Sequence, residues 1–275
     1  RSRSVMTLRF PIVCSSALCA VLAAGCDAPA PEPAPTKDSA GAANGATSST
    51  AKSSVGKAPK PVRSAKPKPP RPNEPAEAKG PFPASTDPAL TDPSKAAEPA
   101  PEDFHVKFET TAGDFEMDCH RSWAPKAADR FYNLVKIGFY DDVAFFRVLP
   151  GFVAQFGLSG LPQVNAAWES ARIPDDAIGK QSNTRGTLTF ATAGKDTRTT
   201  QIFINYADNA SLDPMGFTPF GKLRDAAAAD KLESSYGDGP PRGSGPSQAQ
   251  IQSQGNAYLR AQFPKLDYIR KATLQ

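Results

Sequence analysis

Two side chains stand out for the residues that surround them. Arg147 sits in the run Phe145-Phe-Arg-Val-Leu149, and Gln155 in Phe152-Val-Ala-Gln-Phe156, with Pro150-Gly151 between the runs. A charged and an amide side chain are seldom placed in such company without a reason, because polar groups without partners are costly to bury. A positioned arginine can donate charge-assisted hydrogen bonds to a carbonyl oxygen or an amide nitrogen, which requires no nucleophile and no metal. A surface arginine on an edge strand is the other reading that these residues leave open by themselves. The rest of the chain offers little competing chemistry. His105 and His120 lie far from this stretch. No spacing suits a metal, no Ser-His-Asp set is evident, and no glycine-rich loop could cradle a phosphate. Cys119 alternates with Phe115 and Met117, so it points into a core rather than toward redox chemistry.

The elements that must position Arg147 and Gln155 are short. His105–Thr110 and Phe115–His120 read as two strands around a turn at Ala112-Gly113. Pro125 suits the first turn of a helix, and Ala127, Phe131, Leu134 and Val135 follow at helical spacing. Val143–Leu149, Phe152–Phe156, Thr187–Ala191 and Gln201–Tyr206 read as further strands, and Ile269–Leu274 as a closing one. Gln248 to Gln262 reads as a helix weakened by Gly255 and stopped by Pro264, with Ile251, Tyr258 and Leu259 available for burial. Before it, Tyr236 to Pro246 is a Gly/Pro-rich loop with no function assigned. Many short strands and few helices predict a barrel or sandwich.

A second stretch fits the first. Gly186-Thr-Leu-Thr-Phe-Ala-Thr-Ala-Gly194 is followed by Gln201-Ile-Phe-Ile-Asn205. Together the two stretches resemble the cyclophilin family of peptidyl-prolyl isomerases. Its pattern is Phe-His-Arg-Val-hydrophobic-Pro-Gly-Phe-x-x-Gln-Gly-Gly, then Gly-x-hydrophobic-x-Met-Ala-x-Ala, then Ser-Gln-Phe-Phe-Ile. Asn133 to Asp142 resembles the family's first helix and the turn after it, and Leu212-Asp213 and Phe220-Gly221 match the close of its pocket. The resemblance runs from Phe104 to near the C-terminus. It implies a mainly β fold, a closed antiparallel eight-stranded barrel capped by helices, acting on X-Pro bonds in proline-containing polypeptides.

The resemblance also implies roles. Arg147 would donate to the twisting imide, and Gln155 would bond a substrate carbonyl. Phe152, Val153, Phe203, Leu212 and Phe217 would line the proline pocket, with Ala191, Thr192 and Gln201 beside an extended peptide. Period two places Gln201 and Phe203 on one strand face, in keeping with this. No cofactor or metal is implied. The departures are Phe146 for the family's histidine, Val153 for its pocket methionine, Phe217 for its pocket histidine and Phe156-Gly157 for its Gly-Gly. Ser211 replaces the tryptophan of many eukaryotic members, so the resemblance implies weak cyclosporin binding. These departures bear on the shape of the pocket rather than on the reaction.

Composition divides the chain. Of its 28 prolines, 17 lie between Cys26 and Glu102, in a segment dominated by Ala, Ser, Lys and Pro. Such a segment buries too little apolar area to offset its ordering entropy, which predicts a disordered linker over residues 26–102 and one folded domain over 103–275. That domain carries 19 basic and 19 acidic side chains. Its near-neutral balance argues against nucleic acid as a partner, which would require a basic face. The seven cations from Lys52 to Arg71 have no acidic residue among them; they read as a solvated spacer or as an attraction to anionic surfaces. From Met6 a short apolar stretch runs to Leu22-Ala-Ala-Gly-Cys26. It predicts a signal peptide over residues 1–25 and lipidation of Cys26, as in a bacterial lipoprotein, with an ordinary secretory signal as the other reading. The expectation is a monomeric isomerase of the cell envelope, tethered to a membrane by its lipid, its domain in the periplasm or outside the cell. A low-turnover peptide-binding chaperone or scaffold on the same fold is the runner-up, and a barrel binding a small apolar ligand comes third.

Overall fold

Nine short antiparallel strands form one sheet in the computed structural model of the chain, which describes residues 79–275. They are β1 (Asp103–Thr110), β2 (Phe115–His120), β3 (Val143–Ala144), β4 (Arg147–Leu149), β5 (Val153–Phe156), β6 (Thr187–Phe190), β7 (Ile202–Asn205), β8 (Pro219–Leu223) and β9 (Tyr268–Leu274). Their hydrogen-bonded order is β3-β9-β1-β2-β8-β6-β7-β5-β4. The two strands at the ends of that order are neighbours in the chain, separated only by Phe145 and Phe146. Nine flat strands would span about 38 Å, while the three residue steps from Ala144 to Arg147 reach at most about 11 Å. The sheet is therefore strongly curled. The seven strands read from the sequence, against the eight that the resemblance implies, become nine for two reasons: Val143–Leu149, read as one strand, is two, with Val143 and Ala144 paired to β9 and Arg147 to Leu149 paired to β5, and β8 was not read as a strand. The hydrogen-bonded order contains no ladder between β3 and β4.

Three α-helices accompany the sheet: α1 (Pro125–Lys136), α2 (Pro162–Trp168) and α3 (Gln248–Gln262). α1 buries Ala127, Ala128, Phe131, Leu134 and Val135 on one stripe, as its spacing predicts. Ala124 offers its first turn no side-chain cap. Asp176 supplies one from a distant loop, accepting from the N–H groups of Lys126 and Ala127 at 2.9 and 3.0 Å. Phe108, Phe131, Tyr140 and Phe156 meet at ring separations of 5.6–6.2 Å in the main core. Cys119 is fully buried there, and burial pushes its thiol pKa well up.

α3 carries a second, smaller cluster. Its Ile251, Tyr258 and Leu259 pack with Phe146, Leu158, Phe263, Leu266 and Tyr268. The helix is kinked at Gly255, with φ +61°, where a Cβ would lie 2.0 Å from the Gly160 carbonyl oxygen. Only glycine permits this approach, and the next residue uses it: Asn256 N–H donates to that oxygen at 2.9 Å.

The ordered region begins earlier than composition predicts. Residues 79–102, expected to belong to the linker, pack against the domain. Ala89, Leu90, Ala96 and Ala100 join the main core, and Trp168 Nε1 donates to the Leu90 carbonyl at 3.0 Å. Asn133 clasps Glu98 by its main chain, donating to its carbonyl and accepting from its N–H at 2.7 and 3.1 Å. The overlooked signal is a repeated Thr-Asp-Pro at 86–88 and 91–93. Asp87 and Asp92 each cap a single 3-10 turn that starts on the following proline. The signal peptide over residues 1–25, Cys26 and most of the expected linker lie outside the described residues.

Candidate active site

One row of side chains crosses four strands in register. Arg147 in β4 stands opposite Gln155 in β5, Gln155 opposite Phe203 in β7, and Phe203 opposite Thr189 in β6. Side chains alternate along a strand, so these four project from one face, with Val153 beside them. The other face of the same strands carries Val148, Ala154, Phe156, Ile202 and Ile204 into the main core.

Over the outer face lies a small recess lined by Arg147, Phe152, Val153, Gln155, Phe203, Leu212 and Phe217. Phe203 and Phe217 meet edge to face at 5.6 Å. Arg147 and Gln155 are 6% and 4% exposed, so their polar atoms must find partners within the protein. Arg147 donates from Nε and Nη2 to the two carboxylate oxygens of Asp238, at 2.8 and 3.1 Å, and from Nη1 to Gln155 Oε1 at 3.3 Å. Its guanidinium carbon lies 5.8 Å from the Phe152 ring centre, within cation–π reach. Gln155 passes the network on, donating from Nε2 to Gln201 Oε1 at 2.9 Å. Burial opposes ionisation of Asp238, but the hydrogen bonds and charge of Arg147, with the Gly239 N–H and the charge of Arg242, outweigh it. The carboxyl therefore lies below its ordinary range and stays ionised at neutral pH.

The apolar wall is held from beneath by a polar hub. Leu212 lies in the 3-10 turn Ala210–Met215, and Phe217 follows it. Asn183, fully buried, donates from Nδ2 to Asp213 Oδ1 and to the Phe217 carbonyl, at 2.7 and 2.8 Å. Its Oδ1 accepts from Thr189 Oγ1 and Asn205 Nδ2 at 2.8 and 3.2 Å. One amide thus ties the turn to β6 and β7. Burial works against the charge on Asp213, but hydrogen bonds from Ser182 and Asn183 prevail and lower its pKa.

All seven lining residues were candidates from the sequence. Gln201 lies one hydrogen bond behind them, and Ala191 packs against the recess residues at the end of β6. Thr192 stands apart from the lining, its hydroxyl 2.9 Å from that of Thr197. Sequence reasoning missed Asp238 and Asn183. Asn183 lies in Gln181-Ser-Asn-Thr-Arg185, and Asp238 in a Gly/Pro-rich loop to which no function was assigned. Neither has a neighbour in sequence that marks it.

Comparison with known proteins gives the family. The family described as cyclophilin type peptidyl-prolyl cis-trans isomerase/CLD matches residues 105–251. Peptidyl-prolyl cis-trans isomerase A of Dickeya dadantii is 37% identical over 134 residues, covering 46% of this chain and 70% of that protein. A peptidyl-prolyl cis-trans isomerase of Acinetobacter baylyi is 36% identical over 142 residues, covering 48% of this chain and 75% of that one. A cyclophilin type peptidyl-prolyl cis-trans isomerase of Cryptosporidium parvum, solved by crystallography, is 22% identical with a TM-score of 0.46. The match covers 63% of this chain and 98% of that structure. The chain belongs to the cyclophilin-type peptidyl-prolyl cis-trans isomerases. It is an enzyme of that class.

Proposed function

We propose that Arg147 is the hydrogen-bond donor that lowers the barrier to X-Pro rotation, in a recess that holds the proline ring of an extended polypeptide. The observation that carries this is the register-aligned row Arg147–Gln155–Phe203 above the apolar recess. The planar imide resists rotation by about 18–20 kcal/mol, and unaided exchange takes tens of seconds. Twisting breaks amide resonance and returns a lone pair to the proline nitrogen, so a donor placed there favours the twisted state. Phe152, Val153, Phe203, Leu212 and Phe217 would hold the ring while the chain on one side turns. Gln155 would both orient Arg147 and meet a peptide carbonyl, with Ala191, Thr192 and Gln201 along the peptide's path. A charge-assisted hydrogen bond of about 1.5–3 kcal/mol corresponds to roughly 10- to 150-fold in rate. Arg147→Ala should therefore lower kcat/KM by about that factor in a protease-free isomerisation assay. Wild-type activity in that variant would remove Arg147 from the mechanism.

We read the curled sheet as a barrel whose seam falls at Phe145-Phe146, since its end strands are consecutive in the chain. Slow amide exchange along both β3 and β4 is expected, and fast exchange there would leave the sheet open. We also propose that the domain acts outside the cytoplasm, as a monomer on a lipid tether. Support comes from the apolar stretch before Ala-Ala-Gly-Cys26 and the proline-rich segment after it. Residues 26–78 as a flexible chain would average about 40 Å end to end, slack enough for a neutral domain to search above a bilayer. Mass spectrometry of the mature N-terminus, beside Cys26→Ser, decides. Soluble protein with an unmodified N-terminus in both would leave a plain secreted enzyme.

A further inference from the structure

The segment between β8 and β9 places a carboxylate against the arginine at the centre of the recess. We propose that Asp238 is a positioning residue for isomerisation, holding the Arg147 guanidinium in a fixed plane and leaving its remaining N–H groups for the peptide. This rests on Arg147 being the donor to the twisting imide.

An arginine has five N–H donors. Three are engaged: Nε and one on Nη2 by Asp238, and one on Nη1 by Gln155. One N–H on Nη1 and one on Nη2 remain, enough for an imide nitrogen or its carbonyl. Without Asp238, the long side chain would be steadied only by the 3.3 Å contact to Gln155 and the face of Phe152. A two-point clamp on a planar fork fixes orientation as well as position, which a single hydrogen bond cannot do.

The loop that presents Asp238 is itself braced. The Asp238 carbonyl accepts from Gly245 N–H at 2.9 Å, and Asp238 Oδ1 also accepts from Gly239 N–H at 2.9 Å. A Cβ at Gly245 would lie 2.6 Å from the Tyr236 carbonyl oxygen, so the two arms of the loop approach as closely as only glycine allows. Both ends are fastened to α3 and the turn after it. The Tyr236 ring meets Phe263 edge-on at 5.1 Å, and its hydroxyl accepts from Lys265 N–H at 3.2 Å. Ser247 N–H donates to the Tyr258 hydroxyl at 3.1 Å. Tyr258, Phe263 and Phe146 share the second apolar cluster. Phe146 is the residue before Arg147, so one apolar block anchors both the backbone of the arginine and the loop that clamps its head. A carboxylate meant to swing away would not be braced at both ends, which favours positioning over a removable latch.

The test is a double-mutant cycle on the full chain, reading kcat/KM and melting temperature. Asp238→Ala should lower kcat/KM about tenfold. Asp238→Asn, which retains an oxygen for Gly239 N–H, should fall between it and wild type. In the Arg147→Ala background, Asp238→Ala should change activity by less than roughly twofold, because its effect passes through the arginine. A purely structural role would give equal losses in both backgrounds and would overturn the proposal. Unchanged activity in both single Asp238 variants would overturn it too. A gain in activity would make the carboxylate a restraint on Arg147 and reverse the assignment. If Arg147→Ala keeps wild-type activity, the reading of Arg147 fails first. If it loses activity while Asp238→Ala and Asp238→Asn do not, only the role of Asp238 fails.

Discussion

The two faces of β5 and β7 are equally dry and serve different ends. Inward, Ala154, Phe156, Ile202 and Ile204 are 0% exposed; outward, Val153, Gln155 and Phe203 are 2%, 4% and 3% exposed. Burial therefore does not tell core from site. What differs is the cover. The inner face meets rings from β1, the turn after α1 and the β3–β4 junction, packed around Phe156. Among the described residues, the outer face meets the Leu212–Phe217 turn, Phe152, Ala191 and its own Arg-Gln-Gln hydrogen bonds, with Asp238 at the arginine end. A face covered by a turn and loops can be opened by a ligand, whereas a face covered by a ring stack cannot without losing the fold.

The sharpest way to break this comparison is to delete one ring from each face. Phe156→Ala should cost the most, about 3–5 kcal/mol of stability, because its cavity is enclosed by Phe108, Tyr140 and Phe145. Chemical denaturation would measure it, and activity per folded molecule should hold. Phe203→Ala should cost less than this, because the space it leaves opens into the recess, while KM for a proline peptide rises. Matched stability losses for the two variants, with unchanged kinetics for Phe203→Ala, would return Phe203 to the core and erase the distinction.

The smallest effect concerns the cover itself. The Asp213 carboxyl titrates below its unfolded value near 3.9 because its ionised form accepts hydrogen bonds from Ser182 and Asn183. A group depressed on folding contributes stability above its unfolded pKa and loses it as pH falls through the folded value. Melting temperature should therefore be flat with pH near neutrality, where the contribution of Asp213 is complete, and should decline from about pH 4 downward. Asp213→Asn, which keeps one acceptor, should flatten that acid limb. An identical acid limb in the variant would show that Asp213 does not hold the turn.

The same contrast between local and distant partners explains what could be read from the chain. The site's apolar lining was named through the resemblance of its motifs to a known family, and strand alternation supports only part of it. Once Arg147, Gln155, Gln201 and Phe203 are assigned to strands, alternation alone places Gln201 with Phe203 and Arg147 with Leu149. The helix over 248–262 was legible too, with Gly255 as its weak point, though the kink there was not foreseen. The split of Val143–Leu149 was not, because nothing in an apolar run marks where a chain leaves one sheet edge for the other. Nor was the packing of residues 79–102, whose proline-rich composition conceals four small aliphatic side chains that reach the core.

By itself the sequence determined most of the strands and the motifs that carry the family, because these depend on residue types and spacings within short windows. Only the tertiary structure decided what surrounds the arginine. Asp238 lies 91 residues from Arg147 in the chain. Asn183 lies 30 and 34 residues from the Asp213 and Phe217 groups it holds. Such pairings come from loops folded back over the sheet and braced by α3. No local periodicity encodes them, since a buried charge or amide finds its partner wherever packing brings one within about 3 Å.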